Sequence, residues 1–237
     1  MKKRFLSVSL LALGLALLVL AGACTNQKTV SPKRTEKQEQ LEADLEPIFA
    51  LFTNKEIKPK AYVAVTDVAT SEPKSLKNPK QLDNYQLDLK VTDKGYVGKL
   101  NLEDHSSYVW YQKGSLYKDE KYSQKLEGYS PLFNRLNLTR DYLSQLDVKA
   151  SAKKPDADIL EISYLEDKKS ENLKQLRKDY GLSESATATI TLKRKYNAAK
   201  RYSYSLKYRV RDSENKKELD YQLSVELVSA YKVKKKN

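Results

Sequence analysis

The chain has 237 residues, with 44 lysines and arginines against 31 aspartates and glutamates, a formal charge of +13. Its single cysteine, Cys24, excludes an intrachain disulfide, and its single histidine, His105, cannot build a usual transition-metal site. The length sits near the upper end for one domain, large enough to bury a core without disulfides.

Residues 1–24 form a unit of their own. Lys2, Lys3 and Arg4 are followed by an uncharged run from Phe5 to Leu20, then by the small residues Ala21, Gly22 and Ala23. A positive start, an apolar core and a small-residue cleavage site describe a secretory signal peptide. Leu20-Ala21-Gly22-Ala23-Cys24 resembles a lipobox, the motif of bacterial lipoproteins, with Ala21 where leucine is commoner. The resemblance implies cleavage before Cys24 and a diacylglyceryl (palmitate-type) group on its sulfur. Two acyl chains hold stably in a bilayer where one is marginal. The expected location is therefore the extracellular face of the cell membrane, lipid-anchored. The lysine- and tyrosine-rich composition without further cysteine suits a Gram-positive bacterium.

The leader carries three positive charges and no acid, so residues 24–237 keep about +10. Such a field favours anionic partners. Teichoic acids and anionic lipid headgroups are the candidates, and an anchored extracellular protein is not expected to meet nucleic acid.

Residues 24–34 are polar, with Ser31-Pro32, and read as a flexible tether ahead of one domain over 35–237. Leu41, Leu45, Ile48, Phe49 and Phe52 recur at helical spacing. Pro47 either kinks this helix or opens a second one. Ala61 to Val68 reads as a strand, and Pro73 and Pro79 punctuate the loop after it. Tyr85, Leu87, Leu89 and Val91 alternate with polar residues as in a half-buried strand, and Asp93-Lys94-Gly95 turns the chain into a partner over Tyr96–Leu102. A second hairpin joins Tyr108–Gln112 to Leu116–Tyr122 around Lys113-Gly114-Ser115.

A helix is expected next, with Ser130 as N-cap, Pro131 as first residue, and Leu132, Leu136, Leu143 and Leu146 on one face. Ile159–Leu165 reads as one strand, followed by a short helix capped by Ser170 and ended by Gly181. Three long strands close the chain. Ala186, Ala188, Ile190 and Leu192 alternate with threonines, and Tyr202, Tyr204, Leu206, Tyr208 and Val210 alternate with Ser and basic residues. Leu219, Tyr221, Leu223, Val225 and Leu227 complete the set, and a parity shift to Tyr231 and Val233 hints at a bulge.

Apolar-faced strands and apolar-striped helices predict an α+β fold, an antiparallel sheet with helices against one face. This order of elements behind a lipobox resembles the lipoprotein-carrier superfamily of LolA-type carriers and LppX-type lipoproteins. The resemblance implies a strongly curved antiparallel sheet, an incomplete barrel, with helices packed on its concave face and acyl chains held between the two layers. It rests on element order over residues 35–233, and no family ligand residue can be carried over.

Motifs for catalysis are missing from the chain, and the expectation is that it is not an enzyme and carries no cofactor. His105 beside Asp104 reads as an exposed turn residue. Asp156 and Asp158 lack the spaced acids and glycine of a calcium loop. A hydrolase would need a cleft holding a carboxylate of raised pKa.

Two features remain. Tyr202, Tyr204, Tyr208 and Tyr221 could line a cavity for a lipid or other amphiphile, since tyrosine joins an apolar body to a polar tip. Such a stripe is more often ordinary sheet core. Lys193, Lys195, Arg201, Lys207, Arg209 and Arg211 fall on the opposite face. They read either as a solvated surface or as a docking face for anionic cell-wall polymer, headgroups or a protein partner.

Overall fold

The computed structural model describes residues 34–58, 62–78, 80–154, 158–166, 168–196 and 201–227. The leader, Cys24, the tether up to residue 33, Pro79, Asp156, Tyr231, Val233 and the terminal lysines lie outside the described residues.

Thr35 starts helix α1 (Glu36–Asp44) with a capping box: its hydroxyl accepts from Gln38 N while the Gln38 side chain accepts from Thr35 N. Helix α2 (Glu46–Asn54) begins afresh with Pro47 in its first turn, so the proline opens a helix instead of kinking one. Strands β1 (Ala64–Glu72), β2 (Tyr85–Thr92), β3 (Gly95–Asn101), β4 (Ser106–Gln112) and β5 (Ser115–Tyr117) follow. Then come α3 (Leu132–Arg135), α4 (Arg140–Leu143), β6 (Asp147–Lys154) and β7 (Ile159–Glu166). The chain closes with α5 (Glu171–Tyr180), β8 (Thr187–Tyr196), β9 (Tyr202–Asp212) and β10 (Lys217–Leu227). Ser170 caps α5 through Leu173 N, and Gly181 ends it in the left-handed conformation, φ 59°. No described helix is long and apolar enough to cross a membrane.

Among the described residues the strands form one open sheet in the order β5-β4-β3-β2-β1-β10-β9-β8-β7-β6, with every neighbour antiparallel. The first and last strands meet at its centre. Each half is a meander, so one connection joins the outer edges: residues 118–146, between β5 and β6. This strap must cross the sheet, and it carries α3 and α4 over the inner face.

Register makes that face continuous. Leu89, Val65, Val225 and Tyr204 are successive partners across β2, β1, β10 and β9, as are Tyr85, Ala69, Tyr221, Tyr208, Ile190 and Tyr164 across β2, β1, β10, β9, β8 and β7. All are buried and share one core with Ile48, Phe49 and Phe52 of α2, Leu132 and Phe133 of α3, and Leu173 and Leu176 of α5. Each such aliphatic or aromatic side chain contributes roughly 1.5–3 kcal/mol by leaving water. The observed architecture is α+β, an open antiparallel sheet with its helices on the apolar face.

Beyond the second hairpin's return arm, which pairs only over Ser115–Tyr117 and not to Tyr122, two readings need correction. The helix over 130–146 is two single turns, with Pro131 itself the N-cap of α3 and Leu136 extended, φ −116° and ψ 151°. Asn137 N is taken by Asn172 and the Thr139 hydroxyl caps Tyr142 N, so side chains divert the backbone from one continuous helix. Its leucines are buried all the same. The other is β6, which was not expected. Asp147–Lys154 is polar because it is an edge strand, where lysines discourage pairing with another chain.

Candidate functional site

Tyr204, Tyr208 and Tyr221 lie in the core, and Tyr202 is half-buried at the start of β9. Tyr208 and Tyr221 are cross-strand partners, with ring centroids 6.4 Å apart. Tyr202 packs its ring on Tyr196, centroids 5.0 Å apart. The sequence pattern thus located one face correctly, yet it could not show what the hydroxyls do.

Of these four, Tyr208 ends directly on a buried acid, and other tyrosines of the inner layer do the same. Tyr164 on β7 donates to Glu42 Oε1 on α1 at 2.8 Å, and Arg34 Nε donates to the same oxygen at 3.1 Å. Glu166, at the end of β7, accepts from Tyr142 of the strap, Tyr208 of β9 and, at 3.1 Å, Asn172 of α5. Tyr221 donates to the Tyr180 hydroxyl at 3.1 Å, which donates to Asp83 Oδ1 at 2.8 Å. Burial, reinforced by the neighbouring carboxylate, pushes the Tyr208 and Tyr164 hydroxyls far up, so they stay neutral donors. Burial likewise takes Tyr221 up to about 12.

A further polar centre lies beneath α3. Asp67 Oδ2 accepts from the Tyr129 hydroxyl and from Leu132 N, both at 3.0 Å. Arg135 donates to Leu82 O at 2.8 Å and Ser130 O at 2.9 Å, with Nη1 3.6 Å from Asp83. Asp67 Oδ1, the Tyr85 hydroxyl and Arg135 Nη1 meet no partner at hydrogen-bond distance within the described chain. Burial raises the Asp67 pKa, opposed by Arg135 and by its hydrogen bonds. A raised carboxylate is half of what a hydrolase would need, but Asp67 is 1% exposed and closed over by the strap. Nothing in its sequence neighbourhood, Val65 to Ala69, marks it out; a lone acid at an inward position of a valine-rich strand was the available signal.

His105 stands in the exposed turn between β3 and β4, its Nδ1 2.6 Å from Asp104 Oδ1. The hydrogen bond to His105 holds the Asp104 carboxyl below its usual range.

The basic residues share the outer face of β8 and β9, but β10 and β7 bring acids beside them. Lys207 is 2.9 Å from Asp220, Arg209 is 2.7 Å from Asp220 and 3.1 Å from Glu218, and Arg211 is 3.4 Å from Glu218. Arg201 pairs with Glu226 at 3.3 Å and Lys193 with Glu161 at 3.6 Å. Lys195 stands opposite Ser203 and Ile159. A shallow dish of about 220 Å³ opens on this face, lined by Lys149, Thr187, Thr189, Thr191, Lys207, Arg209 and Arg211. Lys149 and the threonines were not among the residues expected there.

No family model and no curated protein matches the chain. Among solved structures it is similar to the crystal structure of LprF from Mycobacterium bovis, at 13% identity over 87% of this chain and 99% of that one, with a TM-score of 0.38.

Proposed function

We propose that this chain is a non-enzymatic lipoprotein, exported by its leader and held through a diacylglyceryl group on Cys24 at the extracellular face of a membrane. Its domain takes up an amphiphile between sheet and helices, the sheet curving as an incomplete barrel around them. The observation that carries this reading is the mixed character of that inner layer. Apolar side chains cover it, and tyrosine hydroxyls and carboxylates are set among them at Glu42, Glu166 and Asp67. A molecule with an apolar body and a polar end matches both. Among the described residues the side chains of this layer are buried in one core, so an amphiphile enters by the strap or α1–α2 lifting, a shift to a less populated open state.

Two experiments test the halves separately. Palmitate labelling of cells should mark the wild type and miss Cys24→Ser, which should also leave the membrane fraction as an unanchored chain; an unlabelled wild type overturns the anchor. Native mass spectrometry of the detergent-solubilised chain should show a lipid adduct beyond the covalent one. A chain that carries none, and that takes up no fluorescent acyl probe, overturns the amphiphile.

A further inference from the structure

The dish on the outer face is ordered along the strands. Thr187 faces Arg211, Thr189 faces Arg209, and Thr191 faces Lys207 across the β8–β9 ladder. Each pair sets a hydroxyl beside a cation, and the pairs recur every second residue, about 6.8 Å apart along an antiparallel strand. From the other side comes Lys149. The β6–β7 register shifts between Val148 and Ala150, and Lys149 is the extra residue. A bulge re-aims its side chain, and here that chain closes the rim of the dish. Four cations therefore share the dish, while Glu218 and Asp220 supply two opposing charges from β10. The surface keeps a positive excess, with threonine hydroxyls between the cations; that of Thr191 also shares a 2.9 Å hydrogen bond with the Ser163 hydroxyl, in which Ser163 donates when Thr191 turns its proton to a ligand.

We infer that this ladder binds a linear polyol-phosphate polymer, laid along β8 and β9 with one phosphate at each threonine–cation pair. A single phosphate engages one pair. A polymer engages all three together, and linked contacts raise affinity without any new chemistry. Phosphate oxygens suit both partners: the cation supplies charge and the threonine a directed donor. This inference stands apart from the amphiphile reading, which concerns the opposite face of the sheet.

The test titrates the detergent-solubilised full chain with a synthetic polyglycerol-phosphate oligomer, with inorganic phosphate and micelles doped with phosphatidylglycerol as competitors. The oligomer should bind with a log–log salt slope of about −2, near −0.7 for each of the ladder phosphates on a flexible strand. Lys149→Gln should weaken binding severalfold and flatten the slope. Thr189→Val, which keeps a strand-forming shape, should weaken binding with the slope unchanged. Lys168→Gln, an equal loss of charge elsewhere on the surface, should change neither. Binding no tighter per phosphate than inorganic phosphate overturns the inference, as does equal sensitivity to Lys168→Gln. Displacement by the doped micelles at equal phosphate would make this a headgroup surface and overturn the polymer assignment.

Discussion

Tyr164 on β7 and Glu42 on α1 are 122 residues apart in sequence and joined by a 2.8 Å hydrogen bond. The same arrangement recurs where Tyr208 and Tyr142 meet Glu166 and where Tyr129 meets Asp67. In each case a buried carboxylate ties a covering segment to the inner face of the sheet. Tyrosine suits this role because its ring packs as core while its hydroxyl reaches the acid.

Tyr164→Phe should keep the packing and lose one hydrogen bond to a charged group, costing about 1.5–3 kcal/mol. Glu42→Ala should cost about 3–5 kcal/mol, because it also leaves the largely buried Arg34 without its carboxylate, holding only the Leu143 carbonyl and the face of Tyr164. Urea unfolding curves of the two variants would check the order; a larger loss for Tyr164→Phe would contradict it.

At Glu166 the two tyrosines donate to the two oxygens of one carboxylate, so their effects should not add. Tyr142→Phe and Tyr208→Phe each remove one donor to this buried carboxylate, and the double variant should depart from additivity by about 0.5–3 kcal/mol. A double-mutant cycle measures this directly.

Asp67 and Asp212 should give opposite pH dependences. Burial raises Asp67, so the folded state holds its proton more tightly than the unfolded chain does. Stability from this group is therefore greatest below the unfolded pKa and falls as pH rises toward the folded one. Asp67→Asn keeps an acceptor for Tyr129 and Leu132 N, so it should remove that fall and leave the protein at least as stable at neutral pH. Unfolding midpoints across weakly acid to neutral pH would show it.

For Asp212, burial pushes up but is outweighed by donors from Ser183 and Asn215, which hold the carboxyl at about 2. Its contribution is present above the unfolded carboxylate pKa and lost as pH falls through about 2. Asp212→Asn should weaken the acid limb of the stability profile and release the Ser183 turn, seen as faster amide exchange at Ser183.

Gly98 in β3 lies opposite Leu89 and Val109, and a Cβ there would stand 1.7 Å from the Asp88 carbonyl oxygen. Backbone cannot yield as a flexible side chain can, so Gly98→Ala should destabilise by at least about 1–3 kcal/mol. Thermal unfolding would report it, with the loss concentrated in the β2–β3 pair by hydrogen exchange.

Periodicity by itself determined which way the long strands face. The alternation over Tyr202–Val210 and Leu219–Leu227 is a local signal, fixed by the two-residue repeat of extended chain, and the structure buries those positions as the pattern required, with only Tyr202 at the strand end left half-buried. The α5 helix was equally legible, since Ser170 and Gly181 act within one turn of its ends. Only the tertiary structure decided what those faces meet. Glu42, Asp67 and Glu166 carry no local mark, because their partners come from elements far along the chain. The basic character of β9 was visible, but register with β10 decided that Asp220 and Glu218 stand beside it. Strand β6 escaped notice because an edge strand has lysine where periodicity looks for apolar residues. Short-range patterns choose a face; pairing between distant segments chooses its neighbours, and that depends on the whole fold.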